Sequence, residues 1–159
     1  MTLAAPGPGV APPGDAEVPV VLVHGYLGGS QQWDEIVAAF TDRRAFIAAD
    51  LPGFAGAAGA ATISSIQGFA EHVIADLDAR RVERCVVLGH SMGGMIAQEI
   101  ARLRPDFVER LVLYGTGPLG SMPDRFEPLE TSLERLEHDG LSETAARITA
   151  TWFVDGARH

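Results

Sequence analysis

The chain of 159 residues contains no lysine, since all 12 of its basic residues are arginine. This absence excludes a phosphate-binding P-loop lysine and a lysine that forms a Schiff base. The single cysteine, Cys85, cannot form an internal disulfide or a cysteine-based zinc site, which is typical of a reducing compartment. No apolar run is long enough to span a bilayer, and the N-terminus lacks the pattern of a secretory signal. We therefore expect a cytoplasmic protein without a membrane partner.

The chain is acidic, with 21 aspartate and glutamate residues and a net charge of -9 at pH 7. Such a surface repels phosphate backbones, and the arginines form no basic stripe, so nucleic acid is not an expected partner. Hydrophobic residues make up 47% of the chain, which at this length suffices for one compact domain with a core but not for two. The composition therefore predicts a single acidic globular domain.

The pattern of apolar residues divides the chain into three parts. Residues 1–17 are rich in Pro, Gly and Ala without periodicity, which predicts a flexible lead-in. Residues 18–117 alternate short apolar runs with helical patterns, which predicts an α/β fold with a doubly wound parallel sheet. In residues 118–159 the alternation stops, and two amphipathic helices separated by Gly140 predict the start of a helical lid. The predicted strands are Val18–Val23, Ala45–Ala49, Cys85–Leu88 and Leu111–Tyr114, and the predicted lid helices are about Leu129–His138 and Ser142–Phe153.

Helical spacing predicts the helices between these strands. Ser30 is the predicted N-cap of the first helix, and Ser64 or Ser65 is the predicted start of the second. The third helix is predicted from about Met92 to Leu103. Apolar spacing predicts one buried face on each of the first two helices. These faces consist of Trp33, Ile36, Val37 and Phe40 in the first helix and of Ile66, Ala70, Val73 and Leu77 in the second.

The most informative peptide is G-H-S-M-G at residues 89–93, a G-x-S-x-G motif between an apolar strand and a helix. A nucleophilic serine must sit on a sharp turn above the sheet, and the glycines on either side have no Cβ to collide with the neighbouring chain. The helix that begins at Met92 points its N-terminus at the reacting atom, where an N–H and the helix dipole stabilise an oxyanion. A second motif, H-G-Y-L-G-G at residues 24–29, can bring the N–H of Tyr26 alongside that of Met92.

With the D-L-P-G-F turn at residues 50–54, these motifs resemble the α/β-hydrolase family in order and spacing, over residues 18 to about 116. The resemblance implies a partial α/β-hydrolase core in which Ser91 is the acyl-enzyme nucleophile. It implies that the N–H groups of Tyr26 and Met92 form the oxyanion hole, that the strand order is 4-3-5-6 in the family's numbering, and that no metal or organic cofactor is required. The lid segment is similar to the helical caps of enol-lactonases and of C–C hydrolases of aromatic degradation.

The family's triad continues from the serine to an acid and then to a histidine, both after later strands. None of the five histidines stands in the position of the family's base. His24 and His90 are predicted to have structural roles, and His72 is predicted to lie on the surface. His138 is predicted to end a lid helix, and His159 is the last residue of the sequence. Asp124 follows the fourth strand, where some members keep the acid, but is favoured as a plain loop charge, and Asp50 is predicted to anchor its own turn. We therefore expect the N-terminal part of a longer hydrolase, truncated within the lid, with a sheet edge exposed.

The leading function is a serine hydrolase that cleaves a carboxylic ester, lactone or similar small acyl compound through an acyl-enzyme on Ser91. Within this class, a C–C bond hydrolase of a vinylogous diketone is the alternative, and acyltransferases and cofactor-free haloperoxidases share the same motifs. A hydrolase-like domain that binds a small molecule without turnover is the alternative outside the class. The sequence leaves the oligomeric state open, and the activity of these 159 residues alone depends on an acid and a base that it does not identify.

Overall fold

The computed structural model describes residues 18–118 and 127–151. These residues belong to two compact units, one within Met1–Gly120 and the other within Ser121–His159. Within the described ranges, no helix is both long and apolar enough to cross a membrane. In chain order the elements are β1 (Val20–Val23), a 3-10 turn (Ser30–Trp33), α1 (Asp34–Phe40), β2 (Phe46–Ala48), a second 3-10 turn (Ala55–Ala57), α2 (Ile66–Ala79), β3 (Cys85–His90), α3 (Met92–Leu103), β4 (Val108–Tyr114) and α4 (Leu129–Ala150).

The four strands form one parallel sheet in the order β2-β1-β3-β4. In register, Val20 of β1 lies opposite Phe46 on one side and opposite Val86 on the other. β3 pairs with β4 from Cys85 opposite Val108, with an irregularity directly after this pair. The prediction of an α/β fold with a doubly wound parallel sheet is confirmed. In the family's numbering β1 to β4 are strands 3 to 6, so the observed order is the predicted order 4-3-5-6. Because parallel strands all end at the same edge, the loops after β1 and β3 lie side by side.

The core lies where the sheet packs against α2 and α3. Cys85 and Val87 of β3 are completely buried, as are Ile96 and Ile100 of α3. The predicted apolar face of α2 packs into the same core, where Leu77 is 1% exposed. Burial raises the pKa of the Cys85 thiol to about 11, so this cysteine is an inert core residue.

The two predicted serine caps have different outcomes. The Oγ of Ser65 accepts the N–H of Gly68 at 3.0 Å, so this serine caps α2 as predicted. The prediction for Ser30 is wrong, because the cap position is Gly29 and Ser30 is already the first residue of the 3-10 turn. The N–H of Ser30 instead donates to Oδ1 of Asp50 at 2.6 Å, which ties this turn to the loop after β2.

The prediction of a buried face on α1 is also wrong. Trp33, in the turn before the helix, is 3% exposed, but Ile36 and Phe40 are 38% and 48% exposed. Helical spacing gathers apolar side chains on one face, whereas burial requires a second element against that face. Among the described elements, α1 packs mainly against the turn that precedes it.

β4 is an outer strand of the sheet, and the structure shows the exposed edge that the sequence predicts. Its apolar side chains remain accessible over one continuous stretch. The exposed fractions are 38% for Leu111, 43% for Val112, 44% for Leu113 and 65% for Tyr114.

The second unit contains α4, which is broken at Gly140 by a non-helical backbone conformation with φ +81° and ψ 172°. The predicted separation of two helices at this glycine therefore agrees with the backbone. Oε1 of Glu127 accepts hydrogen bonds from Ser132 before the break and from Arg147 after it, at 2.7 and 2.8 Å, so a carboxylate links the two halves. That residues 118–159 form a lid stays a prediction, and the predicted end of the second helix lies outside the described residues.

Candidate active site

Ser91 stands at the turn between the end of β3 and the start of α3. Its backbone has φ +53° and ψ -119°, a conformation that residues with a side chain rarely adopt. Such a conformation costs on the order of 1–3 kcal/mol and persists only where the surrounding structure imposes it. Strain of this kind is typical of functional sites, and it falls on the serine that the G-x-S-x-G motif singled out.

The glycines of the motif allow the backbones around this turn to approach each other. A Cβ on Gly89 would lie 2.6 Å from the carbonyl carbon of Gly93. A Cβ on Gly93 would lie 2.5 Å from the carbonyl oxygen of His24, in the loop after β1. Real Cβ atoms do not come this close to a backbone atom, so both positions require glycine for steric reasons. The second glycine thus brings the start of α3 against the loop after β1.

The loop after β1 lies beside Ser91, as the topology predicts. A Cβ on Gly25 would be 3.1 Å from the Cβ of Ser91, so the two backbones are in contact. Tyr26 follows, with a 47% exposed side chain whose ring meets Phe54 edge-on at 5.9 Å. Among the hydrogen bonds within the described part of the chain, none uses the N–H of Tyr26 or of Met92 as its donor.

His24 is completely buried at the base of this loop, and its role is structural, as predicted. Its Nε2 accepts the N–H of Leu51 at 2.9 Å, so the proton is on Nδ1, which donates to the carbonyl of Gly25 at 2.9 Å. Burial lowers the pKa of His24 and outweighs the opposing effects of the Gly25 carbonyl and the Asp50 charge. The ring is therefore a neutral bridge between the loops after β1 and β2.

Asp50 anchors the turn after β2, which the sequence also predicts, and it holds a second loop as well. Its Oδ1 accepts the N–H of Ser30 at 2.6 Å, and its Oδ2 accepts the N–H of Gly56 at 2.9 Å. Burial alone would raise the pKa of Asp50, but the donors at Ser30 and Gly56, with the nearby His24, outweigh it and lower this pKa. Both oxygens of the Asp50 carboxylate thus accept hydrogen bonds that hold the loops after β1 and β2 in place.

Two other histidines of the core unit differ in their surroundings. His90 packs its ring against Tyr114 at 5.2 Å between centroids, and burial lowers the pKa of this imidazole. His72, which the sequence predicts to lie on the surface, is half-buried, and within the described part of the chain its buried Nε2 has no hydrogen-bond partner. The residue lines a cavity of about 20 Å³ between α2 and the sheet. A cavity of this size holds about one water molecule. Its lining includes Val21, Leu51 and Leu77 but not Ser91, so it is separate from the candidate site.

Among the residues that the structure describes, no acid and base of a triad are identified. Within residues 18–118, no hydrogen bond joins the Oγ of Ser91 to a histidine. His138 is exposed in the second unit, where its Nδ1 is 2.7 Å from Oδ1 of Asp139. Asp124, which the sequence favours as a plain loop charge over an acid, and His159, which the sequence does not favour as the base, lie outside the described residues.

Sequence reasoning missed one group that contacts the turn at Ser91. Thr116, in the loop after β4, donates its hydroxyl to the carbonyl oxygen of Ser91 at 2.7 Å. No motif marks this threonine, because its proximity to Ser91 depends on the pairing of β3 with β4. The pairing of two predicted neighbouring strands is the only signal that could have found it.

Comparison with known proteins gives relatives that match more than half of the chain. The chain is 36% identical over 107 residues to the dihydrolipoyllysine-residue acetyltransferase component of the acetoin cleaving system of Pseudomonas putida. The aligned region covers 67% of the chain and 29% of that protein. It is 28% identical over 134 residues to a pimeloyl-[acyl-carrier protein] methyl ester esterase of Pectobacterium carotovorum, covering 84% of the chain and 51% of the esterase.

Among solved structures, the enol-lactonase from Burkholderia xenovorans superposes with a TM-score of 0.74 over 87% of the chain and 53% of the lactonase. At 20% identity this likeness concerns the fold alone. The chain thus spans from about a third to half of the length of these three proteins. The alpha/beta hydrolase fold family matches residues 18–139, which include the four described strands and the strained turn at Ser91. The chain therefore belongs to the α/β-hydrolase family.

Proposed function

We propose that the chain carries the nucleophile and oxyanion-hole half of a serine hydrolase that cleaves a carboxylic ester, lactone or similar acyl compound. The observation that carries the proposal is the backbone of Ser91, held at φ +53° at the N-terminus of α3. A protein that only binds a ligand has no use for a serine in this strained position, whereas a nucleophile requires it.

In the proposed reaction, the Oγ of Ser91 attacks the acyl carbon and a general base removes its proton. The carbonyl oxygen becomes an oxyanion, which accepts hydrogen bonds from the N–H groups of Tyr26 and Met92. The Met92 N–H also stands at the positive end of the α3 dipole. The leaving alcohol departs, and water then hydrolyses the acyl-enzyme to release the acid. The general base and its acid partner are to be sought outside the described residues.

The relatives support an ester as the scissile group. The Pectobacterium carotovorum protein is a methyl ester esterase, and a mouse relative that is 32% identical over 113 residues is an sn-1-specific diacylglycerol lipase. A solved structure that is 28% identical over 78% of the chain is an enzyme that degrades N-acyl homoserine lactones. Because these substrates differ beyond the acyl group, we propose the bond type and not one substrate.

Hydrolysis of a short p-nitrophenyl ester tests the proposal, both with this chain and with any longer natural form that contains it. Ser91→Ala should lower kcat on the order of a thousandfold or more, because nucleophile and base act as one unit. Ser64→Ala, which alters an exposed serine before α2, is the matched control and should leave kcat unchanged. Equal rates for Ser91→Ala and the parent chain would overturn the assignment, and so would a complete lack of ester hydrolysis in every folded form.

A further inference from the structure

The end of β4 holds both backbone polar groups of Ser91. The N–H of Ser91 donates to the carbonyl of Tyr114 at 3.0 Å, and the carbonyl of Ser91 accepts the hydroxyl of Thr116 at 2.7 Å. The two partners flank Gly115, whose φ of +54° turns the chain between them. A single turn therefore binds, through hydrogen bonds, the peptide groups on both sides of Ser91.

The same turn is packed against the start of α3. A Cβ on Gly94 would lie 2.5 Å from Cγ2 of Thr116 and 2.7 Å from its Oγ1, so the threonine fills the space that this glycine leaves. The Nε2 of Gln98 donates to the carbonyls of Gly94 and Gly117, each at 3.2 Å. The first turn of α3 and the residues after β4 are thus interlocked by packing and by hydrogen bonds.

We propose that Thr116 is a positioning residue for Ser91. Its hydroxyl holds the carbonyl of residue 91, keeps that residue in its positive-φ conformation and directs its side chain over the N-terminus of α3. The inference rests on the proposed function only in naming Ser91 as the nucleophile. The Ser91 carbonyl also accepts the N–H of Gly94 at 2.9 Å, so loss of the threonine hydroxyl loosens this arrangement without abolishing it.

A thiol at residue 91 reports this arrangement without any need for a base or for ester turnover. In Ser91→Cys, proximity to the N-terminus of α3 should lower the pKa of the new thiol below its usual value of about 8.5. Its pKa and reactivity are measured from the rate of alkylation by iodoacetamide between about pH 6 and 10. The natural Cys85 adds no background, because it is completely buried and its pKa is raised to about 11.

Two substitutions of Thr116 in the Ser91→Cys background separate the hydroxyl from the shape of the side chain. Thr116→Val keeps the shape but removes the donor, and it should raise the thiol pKa and slow alkylation at pH 7 about three- to tenfold, as expected for one hydrogen bond. Thr116→Ser keeps the donor and should return the rate to within about twofold of the parent. Thr149→Val removes a similar hydroxyl-to-carbonyl bond, to Ala145 at 2.9 Å in α4, and should change nothing.

A purely structural role for Thr116 gives a different result. In that case Thr116→Val lowers the free energy of unfolding in urea but leaves the thiol pKa and the alkylation rate unchanged, which would overturn the proposal. Failure of Thr116→Ser to restore the rate would overturn it as well. If Thr116→Val fails to fold, Thr116→Ala takes its place as the variant without the hydroxyl, and an alkylation rate equal to that of Thr116→Ser would overturn the proposal. If Thr116→Val raises the pKa of the thiol in Ser91→Cys but Ser91→Ala hydrolyses esters at the normal rate, the proposed function is refuted and the positioning role of Thr116 remains.

Discussion

The Nε2 atom of His24 accepts the N–H of Leu51 at 2.9 Å, and this contact joins the loop after β1 to the loop after β2 through one buried ring. The acceptor role requires a neutral imidazole, since a protonated ring has a donor at both nitrogens. Protonation would therefore break the link between the loop that carries Tyr26 and the turn that begins at Asp50. We therefore expect a neutral His24 to be needed for the observed position of the loop that carries Tyr26.

We predict that the free energy of unfolding decreases as the pH falls below about 6.5, in part because of His24. Burial lowers its pKa in the folded state, so between the folded and unfolded pKa values the unfolded chain binds more protons and stability is lost with acid. Urea unfolding at pH 7.5 and 5 measures the slope, and His24→Gln should make it shallower. Part of the slope should remain, because burial also lowers the pKa of His90. An equal flattening by His138→Gln, a change in an exposed ring, would contradict the assignment to His24.

Removal of the Asp50 charge should destabilise the loops it holds. Asp50→Asn leaves one acceptor where the carboxylate has two, so we expect a loss of about 1–3 kcal/mol in urea unfolding at pH 7. The pKa of Asp50 is lowered in the folded state, so its contribution is complete above the unfolded pKa of about 3.9 and disappears as the pH falls through the folded value. The difference between parent and variant should therefore narrow as the pH falls below about 3.9. Asp42→Asn is the control, since Asp42 is 73% exposed, and a loss of the same size there would refute the specific role of Asp50.

Gly93→Ala should destabilise the fold by about 1–3 kcal/mol, although alanine has the higher helix propensity. The added Cβ would lie 2.5 Å from the carbonyl oxygen of His24 and 2.7 Å from the carbonyl carbon of Val23, and neither backbone atom can move without shifting β1 or its loop. Gly59→Ala is the matched control, because a Cβ there meets nothing within 4 Å and its φ is not positive. Equal unfolding free energies for the two variants would show that the close approach at Gly93 is not required.

Gly140→Ala should weaken α4 by a different mechanism. A Cβ at Gly140 meets nothing within 4 Å, but φ +81° with ψ 172° is a backbone conformation that is essentially reserved for glycine. The expected cost is about 1–3 kcal/mol, unless the chain closes the break and forms one continuous helix. Circular dichroism at 222 nm separates the two results, since loss of stability reduces the helical signal on heating and a continuous helix increases it. Unchanged melting and helicity relative to Gly59→Ala would contradict the role of the break.

Local patterns in the sequence determined much of the fold and of the candidate site. The strand and helix order and the bounds of α3 follow from apolar runs, caps and turn residues, which act over a few neighbouring positions. The sheet order was implied by the resemblance to the α/β-hydrolase family and not by these local patterns. The position of Ser91 follows from the same local chemistry, because a strand, a turn rich in glycine and a helix succeed one another there. The anchoring role of Asp50 could likewise be predicted, since it stands at a strand end next to the turn that it holds. The structural role of His24 was implied by the family resemblance.

The tertiary structure alone decided which faces are covered and which distant residues meet. The spacing of Ile36 and Phe40 is that of a buried face, yet both remain exposed, because spacing does not specify a second element to pack against them. The sequence around His72 predicts a surface histidine, but the position of α2 on the sheet buries its Nε2. The bond from Thr116 to Ser91 spans 25 residues and exists because β3 and β4 are parallel neighbours that end together. Local propensity cannot encode such contacts, because they arise only when separate elements pack in three dimensions.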